Sequence, residues 1–340
     1  MATIKDVAAL AGISYTTVSH VLNKTRPVSE RVRQKVEAAI AELDYVPSAV
    51  ARSLKARSTA TIGLLVPNSV NPYFAELARG IEDGCERNGY CVILCNSDDD
   101  PKKQRSYLRV LLEKRVDGLI VASVGEDRDL LESLSNVRTP MVIVDRALDG
   151  VDADLVRIDH QQGAYLATHH LLELGHRDIA CIGGPIDTGV SQLRVAGFRR
   201  AMAEAGLTVA KDRVLHSDFT SPGGHAAAAR LLEGERRPTA IFAGNDMIGF
   251  GVLRAAAERN IEVPGQLSVI GFDDIELSRY IYPPLTTVGQ SIRELGESAA
   301  QLLLSRIAAP LGSTEQRVVA PRIVLRESTG PCPGLFTDYR

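Results

Sequence analysis

From Thr61 onward the chain is built on unbroken apolar runs, TIGLLVP, YCVILCN, VDGLIVAS and TPMVIVD, and such a run offers no face to solvent. A strand of this kind has to be covered on both sides. That requirement predicts a parallel sheet with helices on each face, not an antiparallel sheet with one wet side. The segments between the runs suit covering helices, one over about 72–87 and one through PKKQRSYLRVLLEKR. The alternation restarts after residue 160: a helix over 163–174, the strand DIACIGG, a helix around 194–204, a strand near Val214, a helix after Pro222, then TAIFAG, a helix after Asp246 and LSVIGFD. Two such series predict two α/β lobes.

The first 60 residues read differently. Ile4, Val7, Ala8 and Ala11 share a helix face; Thr3 is placed to cap it, and Asp6 lies three residues on, where a reciprocal cap or the helix dipole favours an acid. Gly12 stops that helix. Ser14 is placed to cap a second, whose inner side is Val18, Val21 and Leu22. Two short helices across a Gly-containing turn make a helix-turn-helix. The outer face of the second helix carries Tyr15, Thr16, Ser19 and His20, with Thr17 at its boundary and Asn23 at its end. Such side chains meet base edges and phosphates when a helix enters the major groove. A polar-faced helical hairpin would show the same pattern. A third helix over 29–43, with Val32, Val36, Ala39, Ile40 and Leu43 inward, closes a three-helix core. Beyond Tyr45-Val46-Pro47, the stretch AVARSLKA is too short to stand alone in water and needs a partner or DNA to order it.

Charge divides the chain at the same place. Residues 1–60 hold nine Lys/Arg against five Asp/Glu, a net of +4, while the rest hold 30 against 37, a net of −7. A basic head on an acidic body suits a chain in which only the head approaches a polyanion. The start, MATIKDVAALAG, meets Asp6 before any long apolar run, and no uncharged apolar stretch of about 18 residues occurs. A cytoplasmic protein without a membrane segment is therefore expected. Cys85, Cys91, Cys95, Cys181 and Cys332 lack metal-site pairing, and Cys91 and Cys95, in an apolar strand, read as buried free thiols. His169 and His170 are adjacent on a predicted helix and cannot point the same way, so no metal is expected there.

The stretch over residues 4–53, IKDVAALAGISYTTVSHVLNKTRPVSERVRQKVEAAIAELDYVPSAVARS, resembles the headpiece of the lactose/galactose-repressor family of bacterial regulators. That resemblance implies an all-α helix-turn-helix headpiece over 1–46 and a hinge helix with linker over 47–60. It also implies a homodimer on a palindromic operator in double-stranded DNA. Thr3, Tyr15, Thr16, Thr17, Ser19, His20 and Asn23 then face DNA, and the hinge contributes Ala51, Leu54 and Lys55. Leu54 takes the place of the family's minor-groove wedge, which partly unstacks a base step while nearby positive charges face phosphate. The remainder implies two lobes of the periplasmic-binding-protein-like type, one over 61–160 plus 291–320, the other over 161–290 plus 321–340. The chain crosses near 286–290, the segment 291–307 packs on the first lobe, and VVAPRIVLRES returns to the second.

Periplasmic sugar-binding proteins, which these lobes resemble, hold ligand at strand ends. The matching effector set is Asn71, Tyr73 and Phe74 after the first strand, Asp145 and Arg146 after the fourth, Arg194 at a helix start, Phe219, Asn245 with Asp246 after TAIFAG, Asp273 and Gln290. Carboxylates, amides and an Arg fork pair with vicinal hydroxyls, and an aromatic ring covers a sugar face. Each residue alone reads equally as a cap or turn residue.

Two branches of the family compete for the ligand. The headpiece and the C-terminal FTDYR look like the purine repressor, but its purine-reading loop carries Arg and Thr where this chain has Thr188 and Val190, and an aromatic where this chain has Arg146. The effector set instead resembles the ribose repressor, which makes D-ribose the expected effector, with another pentose or hexose, or a purine, as alternatives. The expected function is a sugar-controlled repressor of a sugar-uptake or catabolism operon. No Gly-x-Ser-x-Gly elbow, P-loop or metal triad is present, and GGPIDTG lacks the Gly-x-Gly-x-x-Gly order, so neither catalysis nor a cofactor is expected. A transport-associated binding protein would not need the basic head.

Overall fold

The structure, a computed structural model, describes residues 2–23, 25–46, 58–122, 127–145, 148, 150–234, 236–310 and 312–333. It consists of two compact units, residues 1–59 and 60–340. The hinge stretch with Ala51, Leu54 and Lys55, the residue Arg146 and the C-terminal FTDYR all lie outside the described residues.

Among the described residues the small unit holds three helices: α1 (Ile4–Ala11), α2 (Tyr15–Asn23) and α3 (Glu30–Glu42). Thr3 and Asp6 form a capping box in which the Thr3 hydroxyl accepts from the Asp6 N–H and the Asp6 carboxylate accepts from the Thr3 N–H at 2.7 Å. Gly12 ends α1 at φ 66°, a left-handed conformation that favours glycine. Val7, Ala8, Ala11, Val18, Val36 and Ala39 form the core, with Ile4, Val21, Leu22, Ile40 and Leu43 packed around it.

The large unit holds the two predicted series, joined by more elements than the pattern revealed. The first runs β1 (Thr61–Val66), α4 (Pro72–Glu86), β2 (Cys91–Asn96), α5 (Pro101–Glu113), β3 (Gly118–Ala122), α6 (Arg128–Ser135), β4 (Met141–Val144) and β5 (Asp154–Ile158). The second runs α7 (His160–Glu173), β6 (Ile179–Gly183), α8 (Gly189–Glu204), β7 (Val214–His216), α9 (Ser221–Leu232), β8 (Ala240–Ala243), α10 (Asp246–Glu258), β9 (Ser268–Asp273) and β10 (Thr286–Gly289). Then come α11 (Ile292–Ala308), β11 (Gln316–Val319) and β12 (Arg322–Val324). Each sheet has six strands, in the orders β11-β5-β4-β3-β1-β2 and β12-β10-β9-β8-β6-β7. All pairings are parallel except β10 with β12.

Several boundaries differ from expectation, each for a local reason. Asp159 caps α7, so this helix starts at His160 and not at 163. The helix containing Arg194 starts at Gly189, which puts Arg194 in its second turn. VVAPRIVLRES divides, since β11 adds to β5 in the first sheet and β12 pairs with β10 in the second. Cys91 is exposed, contrary to the buried thiol expected, because β2 is an edge strand; Cys95 is buried.

Both faces of each sheet are covered, as unbroken apolar strands require. Ile62, Leu64, Ile120 and Val142 pack with Leu77 and Ile81 of α4 and Leu295 and Leu303 of α11, while Leu65, Leu119 and Ile143 pack with Leu108 of α5 and Leu130 of α6. In the second lobe Phe242, Ile270 and Phe272 face α7 and α8, and Ile241 and Val269 face α9 and α10. Burying such a side chain contributes about 1.5–3 kcal/mol. The α4/α11 contact depends on Gly80, where a Cβ would collide with the Arg293 carbonyl.

At the edge where α11 leaves the first sheet, Asp154 takes a two-pronged bond from Arg306, Nε to Oδ2 at 2.9 Å and Nη2 to Oδ1 at 2.7 Å, and accepts from the Glu315 N–H at 2.7 Å. Burial by itself would raise the Asp154 pKa, but these donors outweigh it and hold the carboxyl below its ordinary value. A carboxyl depressed on folding stabilises above its unfolded pKa, and that contribution is lost as pH falls through the folded value. Asp154→Asn is therefore expected to lower stability at neutral pH while making it less sensitive to acid. Urea unfolding between pH 7 and pH 3 checks this; an unchanged acid limb would remove Asp154 from the account.

Candidate functional site

In the small unit, α2 presents the face predicted to read DNA. Its first turn is capped by Ser14, whose Oγ accepts from the Thr17 N–H at 3.2 Å and lies 2.9 Å from Thr17 Oγ1. His20 Nδ1 lies 2.7 Å from Thr25 Oγ1, and Asn23 Nδ2 donates to the Ser19 carbonyl at 2.9 Å. These bonds brace Thr17, Ser19, His20 and Asn23 against their neighbours, and Thr3 is held in the α1 cap. Tyr15 is 61% exposed and Thr16 is exposed, and the structure gives neither hydroxyl a partner among the described residues. The two form the uncommitted hydrogen-bonding tip of the helix.

In the large unit the functional geometry follows from sheet order. The strand sequence reverses direction at β2-β1-β3 and at β7-β6-β8, and in open parallel sheets a crevice opens at such points beyond the carboxyl ends of the strands. Asp145 follows β4, Asp273 ends β9 and Gln290 follows β10. Arg194 reaches in from α8 and Tyr73 from α4, and all five are buried.

A continuous polar chain joins them. His160 Nε2 lies 2.8 Å from Asp145 Oδ1, and its Nδ1 lies 3.4 Å from Arg194 Nη2. Arg194 donates from Nη2 to Asp273 Oδ1 at 3.2 Å and from Nη1 to the Gly244 carbonyl at 2.5 Å. Gln290 Nε2 also donates to Asp273 Oδ1, at 2.5 Å. The guanidinium lies flat on Phe272, 3.8 Å from the ring centroid. Burial pushes the Asp273 carboxyl above its ordinary range against the pull of Arg194, and it holds the Tyr73 hydroxyl well above its own. Asp145 and Asp273 occupy left-handed backbone, φ 89° and 116°, as does Phe219 at 62°. Such backbone is strained for side chains other than glycine; it clusters at ligand sites and also serves at turns, as at Asp44 and Asn260 here.

Buried Tyr73 Oη, Arg194 Nε and Gln290 Oε1 at this crevice, and Ser191 Oγ one turn before Arg194 on α8, have no hydrogen-bond partner among the described residues. Buried polar groups are nearly always paired, so these donors and this acceptor mark a region where a small polar molecule can be held.

Other predicted contacts are placed differently. Asn71 Oδ1 caps α4 at the Tyr73 N–H, 3.1 Å. Asn245 Oδ1 caps α10 at the Ile248 N–H, 2.9 Å, and its Nδ2 donates to the Phe219 carbonyl. Both therefore do the work of helix caps. The Phe219 ring lies over Gly184, where a Cβ would collide with it, and Phe74 packs edge-on to Tyr73. Asp246 is buried but saturated by Thr287 Oγ1, Ser278 Oγ and the Ile275 N–H at 2.5–3.0 Å, which makes it a staple for the β9–β10 connection. His160 and Ser191 are absent from the sequence-derived set. The signal for His160 was weak, since the run before Asp159-His160 is broken by Arg157, unlike the runs before Asp145 and Asp273.

Comparison with known proteins agrees with this division. Residues 3–48 match the model of bacterial regulatory proteins of the lacI family, and residues 168–329 match a periplasmic binding protein-like domain. The HTH-type transcriptional repressor PurR of Vibrio campbellii is 46% identical over 331 residues, covering 96% of this chain and 98% of that protein. The chain belongs to the lacI family of bacterial regulatory proteins. It is a sequence-specific DNA-binding repressor regulated by a small-molecule effector, and not an enzyme. Two solved structures share its architecture. The lac repressor dimer bound to operator and the anti-inducer ONPF matches with TM-score 0.86 and 28% identity, over 97% of this chain and 99% of that one. A LacI family regulator from Enterococcus faecium with bound ribose matches with TM-score 0.73 and 36% identity, over 80% and 99%.

One expectation is overturned. The chain was placed nearest the ribose repressor from its effector residues, yet its full-length relatives at 44–46% identity are PurR-type repressors. A handful of site positions misled where 331 aligned residues do not. Among the described residues no three metal-ligand side chains cluster, and no helix is long and apolar enough to cross a membrane.

Arg194 balances buried carboxylates, so removing it leaves them uncompensated. Arg194→Ala is expected to destabilise the large unit by about 3–5 kcal/mol, and Arg194→Met combined with Asp273→Asn should recover most of that loss. Urea unfolding of the wild type and these two variants checks both; a single-variant cost under about 1 kcal/mol, the range of an exposed ion pair, would show that the guanidinium is not the balancing charge.

Proposed function

We propose that this chain represses transcription as a homodimer on a palindromic operator, with α2 in the major groove and the hinge around Leu54 in the minor groove. A purine nucleobase held by Asp145, Arg194, Asp273, Gln290 and Tyr73 sets its operator affinity. The observation that carries an effector site is that Arg194 and Gln290, which both bond Asp273, and Tyr73 beside them each keep a buried polar atom, Nε, Oε1 and Oη, without a partner among the described residues. Ring N–H groups of a purine suit carboxylate and amide acceptors, and its carbonyl and ring nitrogens suit Arg194 Nε and the Tyr73 hydroxyl. Full-length similarity to PurR repressors supports the purine class. Operator binding as a dimer is supported by the likeness to the operator-bound lac repressor dimer.

A second reading, a polyhydroxylated ring such as a pentose, has its own support. Val190 is buried and apolar, and Thr188 caps α8 without a side-chain bond, so the purine repressor's Arg and Thr chemistry is missing from this loop. The ribose-bound Enterococcus regulator is 36% identical. Hydroxyls also donate to carboxylates and accept from Arg.

Effector binding acts on DNA affinity by favouring one lobe orientation over another, and by linkage operator must change effector affinity by the same factor. In the purine reading the effector is a corepressor.

Titration calorimetry of the full chain against hypoxanthine, guanine, D-ribose and other pentoses separates the readings. Saturable heat with a purine and none with sugars is expected; the reverse pattern overturns the purine assignment in favour of the pentose. On an operator selected from random duplexes, Thr16→Ala should lower affinity about tenfold, a typical cost of one base contact. Unchanged affinity and selectivity would remove Thr16 from base reading.

A further inference from the structure

The polar chain across the crevice passes through a residue that neither the sequence pattern nor family likeness singles out. His160 is 2% exposed. It stands between Asp145, at the end of β4 in the first lobe, and Arg194, on α8 against the second sheet, at 2.8 and 3.4 Å. A carboxylate only accepts and a guanidinium only donates. The ring that satisfies both is neutral, with its proton on Nε2 given to Asp145 and its bare Nδ1 facing Arg194. Burial opposes a charged ring and outweighs the pull of Asp145, so the pKa lies below its ordinary value. Phe272, tilted against the imidazole with centroids 6.0 Å apart and also carrying Arg194, limits reorientation.

We propose that His160 is a positioning residue of the effector site, a neutral relay that ties the first-lobe carboxylate Asp145 to the second-lobe guanidinium Arg194. The relay makes the lobes respond together. A ligand accepting from the unpartnered Arg194 Nε, or donating to Asp145, meets a group whose other side is already fixed through His160 to the opposite lobe. Truncating the ring frees Asp145 from this constraint and leaves Arg194 Nη2 with Asp273 alone. This inference rests on the effector reading given above, and its test separates the two.

Histidine-selective 15N labelling of the full chain gives ring-nitrogen signals, with those of His160 identified by their loss in His160→Gln. A neutral ring protonated on Nε2 at pH 7 is expected; a charged ring, or one protonated on Nδ1, overturns the relay. Calorimetry with hypoxanthine and, separately, D-ribose supplies the functional arm. Whichever compound the wild-type chain binds should bind His160→Ala about 30-fold more weakly. His160→Gln places an amide donor where Nε2 lies and should recover affinity to within about fivefold of wild type. Where His160→Ala does not fold, His160→Met keeps the volume without the hydrogen bonds and takes its place. Equal losses in the polar and apolar variants, all unfolding near the wild-type temperature, would mean the ring only fills space and would overturn the proposal. If neither compound binds the wild-type chain, the effector reading fails, and the ring spectrum still decides the relay.

Discussion

One guanidinium against several buried carboxylates sets the terms for the effector unit. Asp145, Asp246 and Asp273 are each at most 5% exposed, and Arg194 is the buried cation beside them. Burying an ionised carboxylate is costly unless it is paired and hydrogen-bonded. The fold meets that demand in three ways: Asp246 takes three donors from its own lobe, Asp145 takes an imidazole, and Asp273 takes Arg194 and Gln290. The result is a crevice still rich in acceptors. A ligand suits it by bringing hydrogen-bond donors, whether ring N–H groups or hydroxyls, and anionic ligands are disfavoured.

That arrangement depends on how the strands are covered. Strands buried on both faces leave only their ends for chemistry, and parallel pairing places all carboxyl ends on one side. The covering helices come close because glycines stand at their crossings. Gly80 faces the Arg293 backbone between α4 and α11, Gly197 faces the Gln161 carbonyl between α7 and α8, and Gly251 faces Ser221 and His225 between α9 and α10. The α7/α8 crossing bears directly on the site, since these two helices carry His160 and Arg194. A side chain at position 197 would push them apart and lengthen a contact already at 3.4 Å.

The fold was legible in the sequence wherever an element is buried on both sides or amphipathic over several turns. The strands of TIGLLVP and LSVIGFD, the helix after Pro72 and the three-helix head carry their periods openly. β5 and α6 went unseen, because DLVRI opens on Asp154 and is broken by Arg157, and RDLLESLS is only eight residues long. Within the site, Asp273 and Gln290 were found because charge or polarity at a strand end is conspicuous, and Arg194 and Tyr73, which stand on α8 and α4, through the resemblance to periplasmic sugar-binding proteins. Asn71 and Asn245 were equally conspicuous and are caps, a role indistinguishable in sequence from ligand contact, since both need a polar side chain just before a helix. His160 was missed because its strand was. The branch of the family was misjudged for another reason: carboxylate, amide and guanidinium groups pair with hydroxyls and heterocycles alike, so residue types at a few positions carry less information about descent than the whole chain.

The linkage between effector and operator needs no contact between effector and base-reading residues. In the small unit Thr17, Ser19, His20 and Asn23 are braced internally, so the face of α2 proposed to read bases is preformed. What a ligand can change is the balance between lobe orientations in the large unit. The bonds from Asp145 through His160 to Arg194 belong to one orientation, and separating the lobes would leave buried charged groups short of partners, at a cost of about 1–3 kcal/mol for each. A ligand that satisfies Arg194 Nε and Gln290 Oε1 while those bonds stand adds to the same orientation; one that replaces them permits another. Shifting a two-state balance from one extreme to the other needs a differential of about 5.5 kcal/mol. Of the bonds in this chain, Asp145 to His160 crosses between the lobes, while His160 and Arg194 both stand on helices of the second, so most of that differential has to come from the ligand's own contacts.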